Sequence, residues 1–264
     1  MSGHGIDCRL EKIADDSLVE SNEWGTGRAG MQYRDLIPAR LGGRLIASHI
    51  RILNGGPVPD YVHHHHVEFQ MIYCYKGWVK VVYEDQGPPF VMQAGDCVLQ
   101  PPHIRHRVLE CSDNMEVIEV SSPAEHETLV DHELELPTKT IDHDRNFDGQ
   151  RFVHHEKVRA KWLPGPYEGF EAQATDISNA TAGLASAQII RPSHPIQTVL
   201  IEKTDDFSFM FTLQGSATLR RQSETDRSLA QGDAFVVPAS ISSNLTDISG
   251  DFELLLVVLR GSFA

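Results

Sequence analysis

The chain has 264 residues, a formal net charge of −14, 41% hydrophobic and 23% charged residues. This is the composition of an ordinary globular protein, long enough to bury a core without disulfides and to form one large domain or two modest ones. The acidic balance, with no cluster of Lys or Arg, argues against a nucleic-acid partner, and no stretch reaches the apolar length of a membrane span.

Met1 to Val19 is largely polar and acidic, which does not read as a signal peptide. Cys8, Cys74, Cys97 and Cys111 make no CxxC pair, so buried, reduced thiols and a cytoplasmic location are expected. From there the chain reads as strands. RLIASHIRIL (44–53) comes first, and an internal run, His63-His64-His65-His66, follows. Next come WVKVVY (78–83), DCVLQ (96–100) and MEVIEV (115–120). Residues 137–163 are polar with few strand signals and read as a connection. Beyond it, LASAQII (184–190), FSFMFTL (207–213), DAFVVP (233–238) and FELLLVVL (252–259) resume the pattern. These segments are rich in β-branched and aromatic residues, with Gly, Pro, Asn and Asp between them. Many short strands and few helical patterns predict an all-β sandwich or barrel.

The histidine run carries the chemistry. In a strand, side chains at i and i+2 share a face, so His63 and His65 can converge on one ion while His64 and His66 point the other way. Gln70 offers an amide oxygen, and His106, beyond the Gly95-Asp96 turn, can arrive on a paired strand. Imidazole suits iron, zinc, copper and nickel, so the ligand type leaves the metal open.

This pattern resembles the cupin superfamily. Its first motif appears as His63-x-His65-x4-Gln70-x6-Gly77, with Gln where Glu is usual and no leading Gly at the expected offset. Its second appears as Gly95-x5-Pro101-x-His103-x2-His106-x3-Glu110, with His103 for Gly and Glu110 for Asn. His64-x-His66-x3-Gln70 fits the first motif with the shorter gap, so two registers stand; we prefer His63 and His65. The resemblance implies one divalent metal ion, iron foremost with zinc, nickel or manganese as alternatives, held by His63, His65, Gln70 and His106. His49 and Arg51 on the first strand, and His103 near the cavity mouth, are candidate substrate-binding residues.

The chain also repeats itself. Asp35, Gly43, Ala47 and Arg51 match Asp176, Gly183, Ala187 and Arg191; Gly77 matches Gly215; Gly95-Asp96 and Pro101 match Gly232-Asp233 and Pro238. A nearly constant offset through separate blocks indicates two copies of one fold. The second copy has Ser208 and Ser243 where the first has Gln70 and His106, and lacks the ligands. The resemblance thus implies two tandem double-stranded β-helix (jelly-roll) barrels. The expected division is an N-terminal metal-binding barrel over residues 1–136, a connection over 137–163, and a degenerate C-terminal barrel over 164–264.

By resemblance, the expected function is a metal-dependent enzyme acting on a small organic molecule, with a mononuclear-iron dioxygenase as the leading reading. The alternatives are a redox-inert Zn, Mn or Ni isomerase, lyase or decarboxylase, and a non-enzymatic binding or sensor module. A homodimer is expected, since two-barrel cupins often pair.

Overall fold

The computed structural model describes residues 23–202, 206–222, 224–239 and 241–260. Cys8 and the acidic amino-terminal segment lie outside them. The described chain is nearly all antiparallel strand and divides into two compact units. One runs up to Val158 and includes Ala180–Ala182; the other comprises Arg159–Asn179 and the chain from Gly183 onward. Among the described residues, no helix is long and apolar enough to cross a membrane.

In the N-terminal unit two sheets face each other. The first has seven strands, in the order Gly25–Thr26, Gln32–Asp35, Ile46–Ile52, Met115–Ser122, Phe69–Lys76, Cys97–Leu99 and Val153–His155. The last of these lies within the segment whose composition reads as a connection: Val153 pairs with Leu99 and His155 with Cys97. The second sheet runs Thr128–Val130, His63–His65, His106–Cys111, Trp78–Tyr83 and Phe90–Gln93. Alternation along these strands sends Ile50, Ile52, Val79, Val81 and Val117 into a shared interior, which is the jelly-roll core.

The C-terminal unit repeats the plan. Six strands (Leu163–Pro164, Phe170–Ala174, Ala185–Pro192, Glu253–Leu259, Phe207–Gln214, Ala234–Val237) face four (Thr198–Ile201, Ser243–Thr246, Ser216–Arg220, Arg227–Ala230). The register repeats as well. Ala47 sits opposite Val120, itself opposite Met71; Ala187 sits opposite Val257, itself opposite Phe209.

Two turns show why the repeated glycines and aspartates recur. Gly77 has φ 70° and Gly215 φ 75°, a left-handed backbone that costs other residues energy. A Cβ on either would also collide with the Ser112 or Ser249 hydroxyl. Those hydroxyls accept from the next backbone N–H, Trp78 at 3.0 Å and Ser216 at 2.8 Å. Asp96 and Asp233 likewise close their turns, accepting from the Gln93 and Ala230 amides at 2.8 Å.

Cys74, Cys97 and Cys111 are buried free thiols. Burial pushes the Cys74 thiol up to about 12 and raises the other two, which keeps them protonated and unreactive.

Candidate metal centre

Antiparallel pairing delivers the histidines. His106, first residue of its strand, sits directly opposite His63, and the two-residue alternation places His65 on the same face as His63. The three imidazoles each offer a nitrogen, and these nitrogens lie within 4.8 Å of one another. The rings of His63 and His106 are 4.2 Å apart, those of His65 and His106 5.4 Å.

One nitrogen of each ring is already committed. His63 Nδ1 donates to the Tyr61 carbonyl at 2.8 Å, and His106 Nδ1 to the Ile104 carbonyl at 3.0 Å. His65 Nδ1 lies 2.9 Å from the Thr128 hydroxyl. Fixing Nδ1 in this way sets the ring orientation and makes Nε2 the ligand atom, the usual outer support of a metal-binding histidine, although on His63 that nitrogen also receives Arg28. Burial, reinforced by the neighbouring imidazoles, pushes His65 down to about 2 and His106 well below its ordinary value. For His63, burial and the Arg28 charge act in the same direction. The rings are therefore neutral at ordinary pH, as a metal ligand must be. The donor set fits a divalent transition ion.

Gln70 is placed differently. Its amide oxygen accepts from Gln100 Nε2 at 2.9 Å, and its amide nitrogen donates to Glu119 at 3.1 Å. Tyr83 donates to the same Gln100 at 2.6 Å. Gln70 is thus the middle of a chain, Tyr83–Gln100–Gln70–Glu119, in which its oxygen accepts one hydrogen bond. A carboxylate does enter the site, from the neighbouring strand: Glu119 lines the cavity and also accepts from Ser121 at 3.1 Å.

Arg28 guards the other side. Its guanidinium donates to His63 Nε2 at 2.7 Å and pairs with the buried Asp60 carboxylate at 2.6 Å. Asp60 is fixed in turn by the Val108 amide at 3.0 Å. The pocket lined by Arg28, His65, His106 and Glu119 has a volume of about 70 Å³, room for on the order of five water-sized positions. Its remaining walls are apolar, including Ile50, Val81 and Met92.

The candidate substrate residues fall elsewhere. Alternation turns Ile50 into the cavity and His49 and Arg51 away from it. His49 packs against Trp24 and Tyr75, accepts from Arg34 at Nδ1 (3.0 Å) and meets Glu116 through Nε2 (2.8 Å). Arg51 stacks 3.8 Å over Trp24 and donates to Gln32. His103 groups with His64 and His66 on the opposite face of the histidine strand. The two His-x-His registers thus lie on opposite faces of the strand, each grouped with a third histidine.

Sequence reasoning missed Arg28, Asp60 and Glu119. Glu119 had a signal: its parity along Met115–Ser122 is that of Met115 and Val117, so it is a carboxylate on a core-facing register. Arg28 had none, because it reaches the site from a short turn before the first long strand.

A family model described as a cupin domain matches residues 49–121. No curated protein matches the chain. Among solved structures, oxalate decarboxylase of Bacillus subtilis is 13% identical, with 94% of this chain and 77% of that chain covered at a TM-score of 0.65. Salicylate 1,2-dioxygenase of Pseudaminobacter salicylatoxidans is 17% identical, with 83% and 72% covered and a TM-score of 0.62. The 7S globulin of Momordica charantia is 10% identical, with 90% and 81% covered and a TM-score of 0.62. At these identities the likeness shows the shared two-barrel, or bicupin, fold, and that fold carries unrelated activities.

Proposed function

We propose that the N-terminal cupin barrel is the active centre of a metal-dependent enzyme acting on a small organic acid or its enol, with iron-dependent dioxygenation as the leading reaction. The observation that carries this reading is the buried trio His63, His65 and His106, each with Nδ1 anchored so that Nε2 is the ligand atom, that of His63 being the one Arg28 must release. A divalent cation held by three neutral ligands keeps its full charge and open positions, redox-active if iron.

The chain's own groups supply the rest. Arg28 lies beside the ligand nitrogen of His63 and can anchor a carboxylate once it releases that nitrogen, keeping Asp60 as its partner. Much of the wall is apolar. Glu119, oriented by Gln70 and Ser121, is positioned to accept a proton from a substrate carbon or hydroxyl. The small cavity favours a compact substrate.

Glu119 also favours a second reading. With zinc, manganese or nickel in the trio, a proton-accepting carboxylate and a polarised carbonyl are the components of an isomerase, lyase or decarboxylase. The deciding experiment is elemental analysis of untagged protein against His106→Ala, followed by oxygen-consumption assays with small carboxylic, phenolic and diketone substrates. Iron present in wild type, absent from the variant, with oxygen uptake, is the expected result. Zinc, manganese or nickel lost in the same comparison moves the assignment to the second reading. Equal metal in both proteins, even after reconstitution, overturns the centre and leaves a binding module.

A further inference from the structure

The geometry points to a second metal site, for a zinc-class divalent cation, on the outer face of the histidine strand: His64, His66 and His103. It does not rest on the function proposed for the inner trio, and it uses different side chains. Each of the three offers one imidazole nitrogen, and these nitrogens lie within 4.8 Å of one another. The rings form a triangle, with centroids 5.7 Å apart for His64–His66, 5.9 Å for His64–His103 and 4.7 Å for His66–His103.

Three further observations distinguish this cluster from histidines that merely crowd together. His64 is nearly buried, and its Nδ1 is enclosed with no hydrogen-bond partner. Such a nitrogen is a donor-acceptor group left unsatisfied, which a protein tolerates poorly unless something binds there. Second, two of the rings are backed by carboxylates: Glu127 lies 3.2 Å from His66 Nδ1, and Asp148 lies 3.3 Å from His103 Nε2. That leaves Nε2 of His66 and Nδ1 of His103 for the ion, with a carboxylate behind each ring to orient it and raise its basicity. Third, His103 holds a left-handed backbone at φ 63°, at the motif position where glycine would adopt it without strain. A strained residue kept in place of glycine points to use of its side chain.

The backbone holds the cluster together. The His103 amide donates to the His65 carbonyl at 3.1 Å, fastening the Pro101–Ile104 turn to the histidine strand. Arg105, the neighbouring cation, is paired with Asp131 at 3.3 Å, so its charge is largely offset. Three imidazoles select zinc, copper or nickel over magnesium or calcium, which prefer oxygen donors. Zinc, with a water completing four-coordination, suits the site best. Loaded, it links the turn that leads into His106 to the strand that carries His63 and His65, and so braces the inner trio from outside.

The test uses the full, untagged chain and zinc alone. Zinc is titrated against a chromophoric chelator into wild type, His106→Ala, and the double variant His66→Ala/His103→Gly. Glycine relieves the backbone at 103, and circular dichroism and thermal melts confirm that each variant is folded. Expected are two equivalents in wild type and one in each variant, with zinc raising the melting temperature of His106→Ala but not of His106→Ala/His66→Ala/His103→Gly. A His66→Ala/His103→Gly protein that binds zinc with the stoichiometry and affinity of wild type overturns the outer site. Loss of one equivalent in that variant with none lost in His106→Ala upholds the outer site and overturns the inner one.

Discussion

The two barrels share a register but differ in chemistry. Where His63 pairs with His106, Ile201 pairs with Ser243; where Gln70 faces Ser121, Ser208 faces Val258. In place of an imidazole, Ser243 receives the Arg221 side chain, whose Nε donates to its hydroxyl at 3.0 Å and whose Nη2 meets the Val236 carbonyl. A fixed, buried guanidinium thus reaches the residue equivalent to His106. Other features are duplicated. The glycine–serine turns recur, the aspartate turns recur, and Arg191 stacks 3.8 Å over Trp162 as Arg51 does over Trp24. What both barrels keep is scaffold; what only one keeps is site. By that rule Arg51 is a packing residue, and the histidine trio, Glu119 and Arg28 are the features particular to the N-terminal barrel.

The largest effect that could break this comparison comes from the trio. His106→Ala should abolish tight binding at the inner site and reduce activity to background, whereas Ser243→Ala should leave metal content unchanged; elemental analysis and turnover assays check both. Restored binding in an Ile201→His/Ser243→His variant would show that Arg221 is no barrier; none is expected. Glu119→Gln should retain metal yet lose about 10²-fold in turnover, the usual size of a general-base contribution. Equal activity would reduce Glu119 to a hydrogen-bond partner of Gln70.

Scaffold substitutions should cost stability in either barrel. Gly77→Ala and Gly215→Ala each force a Cβ onto a left-handed backbone, at about 1–2 kcal/mol before the serine clash is added, read by denaturant melts. Arg51→Ala and Arg191→Ala should each lose about 0.5–1 kcal/mol, the size of a partly exposed cation–π contact. A large loss of activity from Arg51→Ala alone would return it to the site.

A further effect is a pH dependence at a position where only one barrel carries a titratable group. Burial pushes His49 below its ordinary value, the Glu116 hydrogen bond opposing and the Arg34 charge assisting. Above about pH 6.5 both folded and unfolded states hold it neutral, and its contribution is intact. As pH falls below that, the unfolded chain takes up the proton first, so stability declines by at most about 1.4 kcal/mol per pH unit. His49→Gln should reduce that slope in melts between pH 7 and 5, the remainder coming from His63, His65 and His106, which burial lowers in the same direction. The equivalent residue in the other barrel, Ile189, sits opposite Leu255 as His49 sits opposite Ile118 and does not titrate.

Much of the site was legible because strands impose a period of two. The His63–His65 face, the approach of His106 and the loss of ligands at Ser208 and Ser243 follow from spacing and from the internal repeat. His49 and Arg51 were misleading for the same reason. Their neighbourhood in sequence was right, but one residue of parity sends a side chain to the opposite face.

The sequence by itself determined two strand-rich copies of one fold, their turn chemistry, and which copy holds clustered imidazoles. Each rests on local rules: alternation, the backbone freedom of glycine, and the donor chemistry of histidine. The closed fold was needed to show that the two histidine pairs each meet a third imidazole on opposite faces and that Gln70 bonds to Gln100 and Glu119. It alone brought Arg28, from 35 residues before His63, to the ligand nitrogen. Those outcomes depend on which distant strands pair and which polar atoms compete for the same partner. No local pattern in a chain encodes that competition, because it exists only once the barrel has closed.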